Sequence, residues 1–281
     1  MIRKLSWLLV PVLFAAFIVL AAHMINQTTT RQASTGFAPT LVVLGDSVAA
    51  GDGLPLPPKA DAVTTACGRS DQAFPNNIVM NSGTKLIQLA CSGAKTTTGV
   101  LQPQIIGTTT VTAQLEAAKP SLGASDVILN IGANDVDWTT LLSRCVRTDC
   151  TDPANLVDFQ AKLAELKPNL NTILSTIQVA QPRKIVVNTY YSLLSPADTC
   201  FNSYGITGDK IRWVSDRETE LNDALVAVAR QHKAVPVQLD FKGHELCDRV
   251  SWIQGLFDKA PLHPNAIGQQ QIAAQDIQAL R

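Results

Sequence analysis

Short apolar runs, each ended by glycine or a turn residue, recur through the body of the chain. They cover residues 40–44 (TLVVL), 85–90 (KLIQLA), 126–131 (DVILNI), 184–189 (KIVVNT) and 234–239. Their apolar residues stand at consecutive positions rather than alternating, which fits strands buried on both faces of a parallel sheet. Between them the period changes. Leu156, Phe159, Leu163, Leu166, Leu170, Leu174 and Ile177 recur every three or four residues and draw one apolar helical face. Pro168 is expected to kink or divide that helix. Leu221, Leu225 and Val228 mark another helix before the fifth run, and residues 265–280 can form a last one with Asn265 near its start. Strands alternating with helices predict an α/β fold: a three-layer, doubly wound sandwich around a mainly parallel five-stranded sheet.

A different pattern opens the chain. Arg3 and Lys4 precede a nearly unbroken apolar run over residues 5–22. A positive flank followed by an apolar core is what the translocation machinery reads, with the charges kept on the cytoplasmic side. The run is long for a signal-peptide core and just enough to span a bilayer. Residues 1–24 are therefore expected to be either a cleaved signal peptide or a retained anchor that contacts the membrane. Residues 25–39 are polar and rich in Thr, Ser and Gln, as in a flexible tether. Residues 40–281 remain as one catalytic-sized domain. Secretion, or membrane anchoring with the domain outside, follows for localisation.

Composition narrows the function. Hydrophobic residues make up 46% of the chain, which fits a globular body. Lys plus Arg and Asp plus Glu number 23 each, so no basic surplus exists to neutralise phosphates and nucleic acid is a poor partner. Cys67, Cys91, Cys145, Cys150, Cys200 and Cys247 form an even set behind an export signal, which points to three disulfides among 15 pairings. No CxxC pair occurs and no His stands at ligand spacing, so no metal is expected.

In open α/β sheets the site lies at the carboxyl ends of the strands. Gly45-Asp46-Ser47 follows the first run, Cys91-Ser92-Gly93 the second and Gly132-Ala133-Asn134-Asp135 the third, while His263-Pro264-Asn265 precedes the last helix. Each suits acyl transfer. A serine hydroxyl needs a base to take its proton, and imidazole titrates near neutral pH. Gly93 can bring its N–H close to a developing oxyanion, and Asn134 can donate a side-chain N–H to the same oxygen. Asp46 and Asp135 read as loop supports. His244, beside Glu245, is the rival base, and His232 reads as a helix-end cap. Trp138 lies just past the third segment and is the tryptophan best placed to meet substrate.

These segments resemble the four sequence blocks of the SGNH hydrolases, also called GDSL esterases and lipases, in the family's order. GDSVAAGDG (45–53), CGRSDQAFP (67–75), LACSGA (89–94) and GHELC (243–247) resemble its secreted bacterial esterase/lipase branch, with Phe74 where that branch has tyrosine. The resemblance implies a flavodoxin-like fold, Ser47 as nucleophile, His263 as base, and an oxyanion hole from the N–H groups of Ser47 and Gly93 with the Asn134 side chain. It also implies the disulfides Cys67–Cys91, Cys145–Cys150 and Cys200–Cys247, no metal or organic cofactor, and hydrolysis of carboxylic esters, lipids among them; separately, the protein is expected to be a monomer. A carbohydrate deacetylase or thioesterase of the same fold is the alternative, and a non-catalytic relative that binds envelope lipid or glycan is a third reading. Pocket specificity is expected in variable loops such as residues 53–66.

The family's aspartate three residues before the histidine is absent, because that position holds Ala260. Either Asp258 bends in as the acid, or a backbone carbonyl near Ala260 accepts the Nδ1–H. Pro261 stiffens the chain between Asp258 and His263 and favours the carbonyl.

Overall fold

Strand β1 (Thr40–Gly45) is an interior strand of the sheet, and every residue after Thr40 is buried. The computed structural model describes residues 40–195 and 197–281; the expected export segment and tether lie outside the described residues. From β1 the chain passes through α1 (Ser47–Ala50), α2 (Ala62–Cys67) and α3 (Phe74–Val79) to β2 (Lys85–Gln88). The strands β3 (Gln104–Ile106) and β4 (Thr109–Val111) form a separate antiparallel hairpin. Then follow α4 (Gln114–Ala118), β5 (Asp126–Asn130), α5 (Trp138–Arg147), α6 (Pro153–Val179), β6 (Lys184–Asn188), α7 (Gly208–Gln231), β7 (Val235–Val237) and α8 (Ala266–Leu280).

The main sheet has the order β2-β1-β5-β6-β7, all parallel. This is the doubly wound, flavodoxin-like order expected for buried apolar runs. Its two faces are covered separately. Val42, Leu44 and Leu129 pack with Leu166 of α6 and Leu221 of α7, whereas Leu41, Val43 and Ile128 pack with Ile78 of α3 and Ile272 of α8. Consecutive strand residues thus serve opposite cores, which is why the runs do not alternate. Among the described residues no helix is long and apolar enough to cross a membrane.

Two departures from the sequence reading have simple causes. Pro168 does not divide α6, which runs unbroken around it. Pro168 and Ala164, whose carbonyl loses its partner, are both on the exposed side, where water can replace the missing bond. The β3–β4 hairpin is too short and polar to register as strands by periodicity. The three disulfides are Cys67–Cys91, Cys145–Cys150 and Cys200–Cys247, the expected pairs.

A buried acid marks the α8 side. Asn188, the last residue of β6, donates to Asp276 of α8 at 3.0 Å, and the other Asp276 oxygen has no partner among the described residues. Burial raises the Asp276 carboxyl to about 8, against the lowering effect of the Asn188 bond. The acid therefore folds protonated. Its contribution to stability is fully present below the unfolded value of 3.8 and is lost as pH rises towards about 8. Asp276→Asn keeps an acceptor for Asn188 without a proton to bind. It should raise the melting temperature at pH 7, with a stability gain of up to about 4 kcal/mol at about 1.4 kcal/mol per pKa unit between 3.8 and that pH. The gain should shrink towards zero near pH 4. Thermal melts at the two pH values check this, and a variant destabilised at both would refute it.

Candidate active site

The site begins where β1 stops. A Cβ on Gly45 would lie 2.3 Å from the Asn130 carbonyl oxygen at the end of β5, so only glycine lets the two strand ends close on each other. The buried Asp46 then caps α1 by accepting the Val48 N–H at 3.0 Å, which sets Ser47 at the first helical position. Burial raises the Asp46 carboxyl to about 6, partly offset by hydrogen bonds from Tyr190 and Val48.

His263 arrives from the loop before α8. Its Nε2 lies 2.7 Å from Ser47 Oγ, and its Nδ1 lies 3.0 Å from the Pro261 carbonyl oxygen. A carbonyl can only accept, so Nδ1 carries the proton and Nε2 presents its lone pair to the Ser47 hydroxyl. Leu262 between them adopts a left-handed backbone, φ 69°, which is strained for a branched side chain. Three bonds hold it there. Leu262 N–H donates to the Gln254 carbonyl at 3.0 Å, His263 N–H to the Ala260 carbonyl at 3.3 Å, and Tyr191 Oη to the Leu262 carbonyl at 2.8 Å. Asp258 is elsewhere. It is exposed, and its Oδ2 accepts the Gly255 N–H at 2.6 Å, closing its own turn. The short turn aims that carboxyl back at Gly255, so of the two candidate partners the carbonyl is the one on the imidazole.

The second and third segments meet each other beside the pocket. Gly93 is exposed with φ 76°, and the loop before it is tied to Cys67 by the Cys67–Cys91 disulfide and by Ser92 N–H donating to the Cys67 carbonyl at 3.0 Å. Asn134 Nδ2 donates to the Ala94 carbonyl at 3.0 Å, which leaves the second N–H of that amide for another acceptor. Asp135 accepts from the backbone N–H of Thr96 at 3.0 Å and from its hydroxyl, which locks the third segment to the second. Ser47, Asn134 and His263 share a pocket of about 290 Å³ whose walls include Val48, Trp138, Leu142 and Leu221.

Three residues of this pocket escape the sequence reading. Tyr190 Oη donates to Asp46 and accepts the Ala133 N–H at 3.0 Å, joining the first segment to the third. Tyr191 holds the His263 loop, and Glu218 of α7 faces the pocket. The tyrosine pair directly follows β6, where the carboxyl-end rule points. Glu218 is an acid among the buried apolar positions Val214, Leu221 and Leu225 of its helix, a mismatch visible in the periodicity. The pocket walls come from α5, α7 and the loop after β6. Residues 53–66, expected to shape it, instead fold partly into α2 and border a separate depression near Gly68 and Ser92. His244 is not at the site: its ring stacks on Trp252 at 3.8 Å and its Nδ1 meets the Val250 carbonyl. His232 bridges α7 to Gln178 and Asn171 of α6.

Residues 43–271 match the GDSL-like Lipase/Acylhydrolase family. The chain belongs to that family. This GDSL-like acylhydrolase is an ester-cleaving enzyme of the lipase and esterase kind, and its relatives are named accordingly. It is 28% identical over 280 residues to Lipase 2 of Streptomyces coelicolor, covering 91% of each chain. Among solved structures it is similar to phospholipase A1 from Streptomyces albidoflavus NA297, with 25% identity and a TM-score of 0.67 over 86% of this chain and 98% of that one. The extracellular lipase from Streptomyces rimosus has the same fold, with 22% identity and a TM-score of 0.68 over 85% of this chain and 97% of that one.

Replacing Asp258 tests the orientation of the imidazole. A triad aspartate changed to asparagine costs about 10⁴ in kcat. Asp258→Asn in this hydrolase should cost less than about 10-fold against that benchmark. Steady-state kinetics on the folded variant decide it, and a loss of several orders of magnitude would make Asp258 the third member of a triad.

Proposed function

We propose that this hydrolase cleaves carboxylic esters through an acyl-Ser47 intermediate. The supporting observation is the 2.7 Å contact of Ser47 Oγ with His263 Nε2, on an imidazole whose opposite nitrogen meets a carbonyl. His263 takes the hydroxyl proton as Ser47 attacks the ester carbonyl. The oxyanion of the tetrahedral intermediate is met by the N–H groups of Ser47 and Gly93 and by the free N–H of Asn134. Collapse expels the alcohol, which takes the proton from His263. Water then attacks the acyl-enzyme, with His263 again as base, and the acid leaves. Pro261 orients the imidazole without adding a full charge, so the pair acts as a dyad. No cofactor or metal enters these steps.

The largely apolar pocket walls favour an ester with an apolar chain, lipids included, over one that must place a sugar against them. We place the enzyme outside the cytoplasm, since three disulfides persist best in an oxidising compartment. Residues 1–24 serve as its signal peptide or anchor and residues 25–39 as its tether.

Hydrolysis of p-nitrophenyl esters of increasing acyl length tests the reading. Activity should vanish in Ser47→Ala while the melting curve is kept; unchanged turnover in that folded variant would sink the mechanism. Asn134→Ala should lower kcat by roughly 10²–10³, the effect of removing one oxyanion donor. A change confined to KM would assign Asn134 to ground-state binding instead.

A further inference from the structure

The substrate pocket contains an acid that the mechanism does not use. Glu218 lies on the buried side of α7 with 7% of its surface exposed, and it lines the same pocket as Ser47 and His263. Its Oε1 accepts the Ser192 hydroxyl at 2.8 Å. Among the described residues no Lys, Arg or His pairs with it, although Arg217 stands next to it in the chain. Arg217 turns away, with its guanidinium over the rings of Phe159 and Trp213 and bonded to Glu220. The other acid of the pocket, Asp46, is occupied by Tyr190 and Val48.

The acyl group becomes bonded to Ser47 in the first half-reaction and is released only in the second, whereas the alcohol leaves in the first. An acyl chain laid along the apolar wall beside Ser47 therefore stays there until the second half-reaction ends. Each methylene buried there is removed from water, which favours binding. Burying an unpaired carboxylate under that chain costs far more, because the ion must give up its water. A neutral carboxyl that already has Ser192 as partner carries a much smaller cost.

Resting on the ester-hydrolase reading above, we propose that Glu218 determines the acyl-chain preference of this pocket, admitting apolar chains against its protonated carboxyl and excluding them from its carboxylate. The environment puts the switch in the working pH range. Burial raises the group to about 7, Ser192 and the Leu193 N–H lower it, and Glu245 raises it further. The titratable groups around it are Glu245, itself held to Asp248 after β7, Tyr191 after β6, and Asp46, Tyr190 and His263 at the shared pocket. Glu218→Gln keeps every one of these groups, so that variant separates the effect of Glu218 from theirs.

The experiment is kcat/KM for p-nitrophenyl octanoate divided by that for p-nitrophenyl acetate, measured from pH 5.5 to 8.5 on the full chain and on Glu218→Gln. In the unaltered enzyme the ratio should fall about 5- to 10-fold between pH 6 and pH 8, as the competent fraction of a group titrating near 7 falls. Glutamine keeps an acceptor for Ser192 and cannot ionise, so the ratio in Glu218→Gln should stay flat with pH at the high value. A flat ratio in the unaltered enzyme overturns the proposal without any variant. An equal fall in Glu218→Gln overturns it as well, by assigning the titration to another group. Absence of hydrolysis of either ester would instead overturn the ester-hydrolase reading, and a measurable acetate rate separates the two failures.

Discussion

The site depends on the closure of β1 against β5. Parallel pairing in register from Leu41 with Asp126 to Gly45 with Asn130 brings two strand ends to the same level. The missing side chain at Gly45 lets the Asn130 carbonyl come within a distance no Cβ would allow, and that carbonyl also accepts the Asp46 N–H at 3.0 Å. Gln114 seals the junction from α4 by bonding both backbone groups of Gly45 at 2.8 Å. With this seam fixed, Ser47 and Asn134 sit on neighbouring loops of one rigid sheet edge. Placing reacting groups on loops anchored by buried strands gives sub-ångström positioning without a rigid loop throughout.

The molecule uses its carboxyl groups as fasteners. Asp46 ties the nucleophile turn to Tyr190, Asp135 ties the third segment to Thr96, and Asp258 closes a surface turn. None of these carboxyls bonds the imidazole. A carbonyl at that position fixes the tautomer as well as a carboxylate does but stabilises the imidazolium less, since it brings a dipole and not a charge. The enclosed pocket compensates in part, because charge developing on the oxyanion and the imidazolium interacts more strongly where water is scarce.

What is legible in the sequence follows from what each part of the fold requires. A central strand must be apolar at successive positions, so β1, β5 and β6 declare themselves, and Asn265 announces α8 because a cap needs a short acceptor side chain. Gly45, Gly93 and the polar segments after the strands stand out because few residues can serve there. Pro168 misleads, since the cost of proline depends on which side of a helix its orphaned carbonyl faces, and that is a tertiary fact. Tyr190 and Tyr191 stay hidden for a related reason. A tyrosine after a strand is usually packing, and only the meeting of segments 57 and 144 residues away turns its hydroxyl into a strap across Ala133 and Asp46.

The carbonyl that holds His263 has a consequence for how this enzyme can change over time. A catalytic aspartate can be erased by one codon change. The oxygen of Pro261 cannot, because every amino acid carries the same one. The vulnerability moves to chain geometry: the left-handed turn at Leu262 and the count of residues between Gln254 and His263. Substitutions along this segment are therefore buffered, while a single inserted or deleted residue would carry the oxygen away from the ring. In a lineage of such enzymes, this loop would be free to drift in composition and held fast in length.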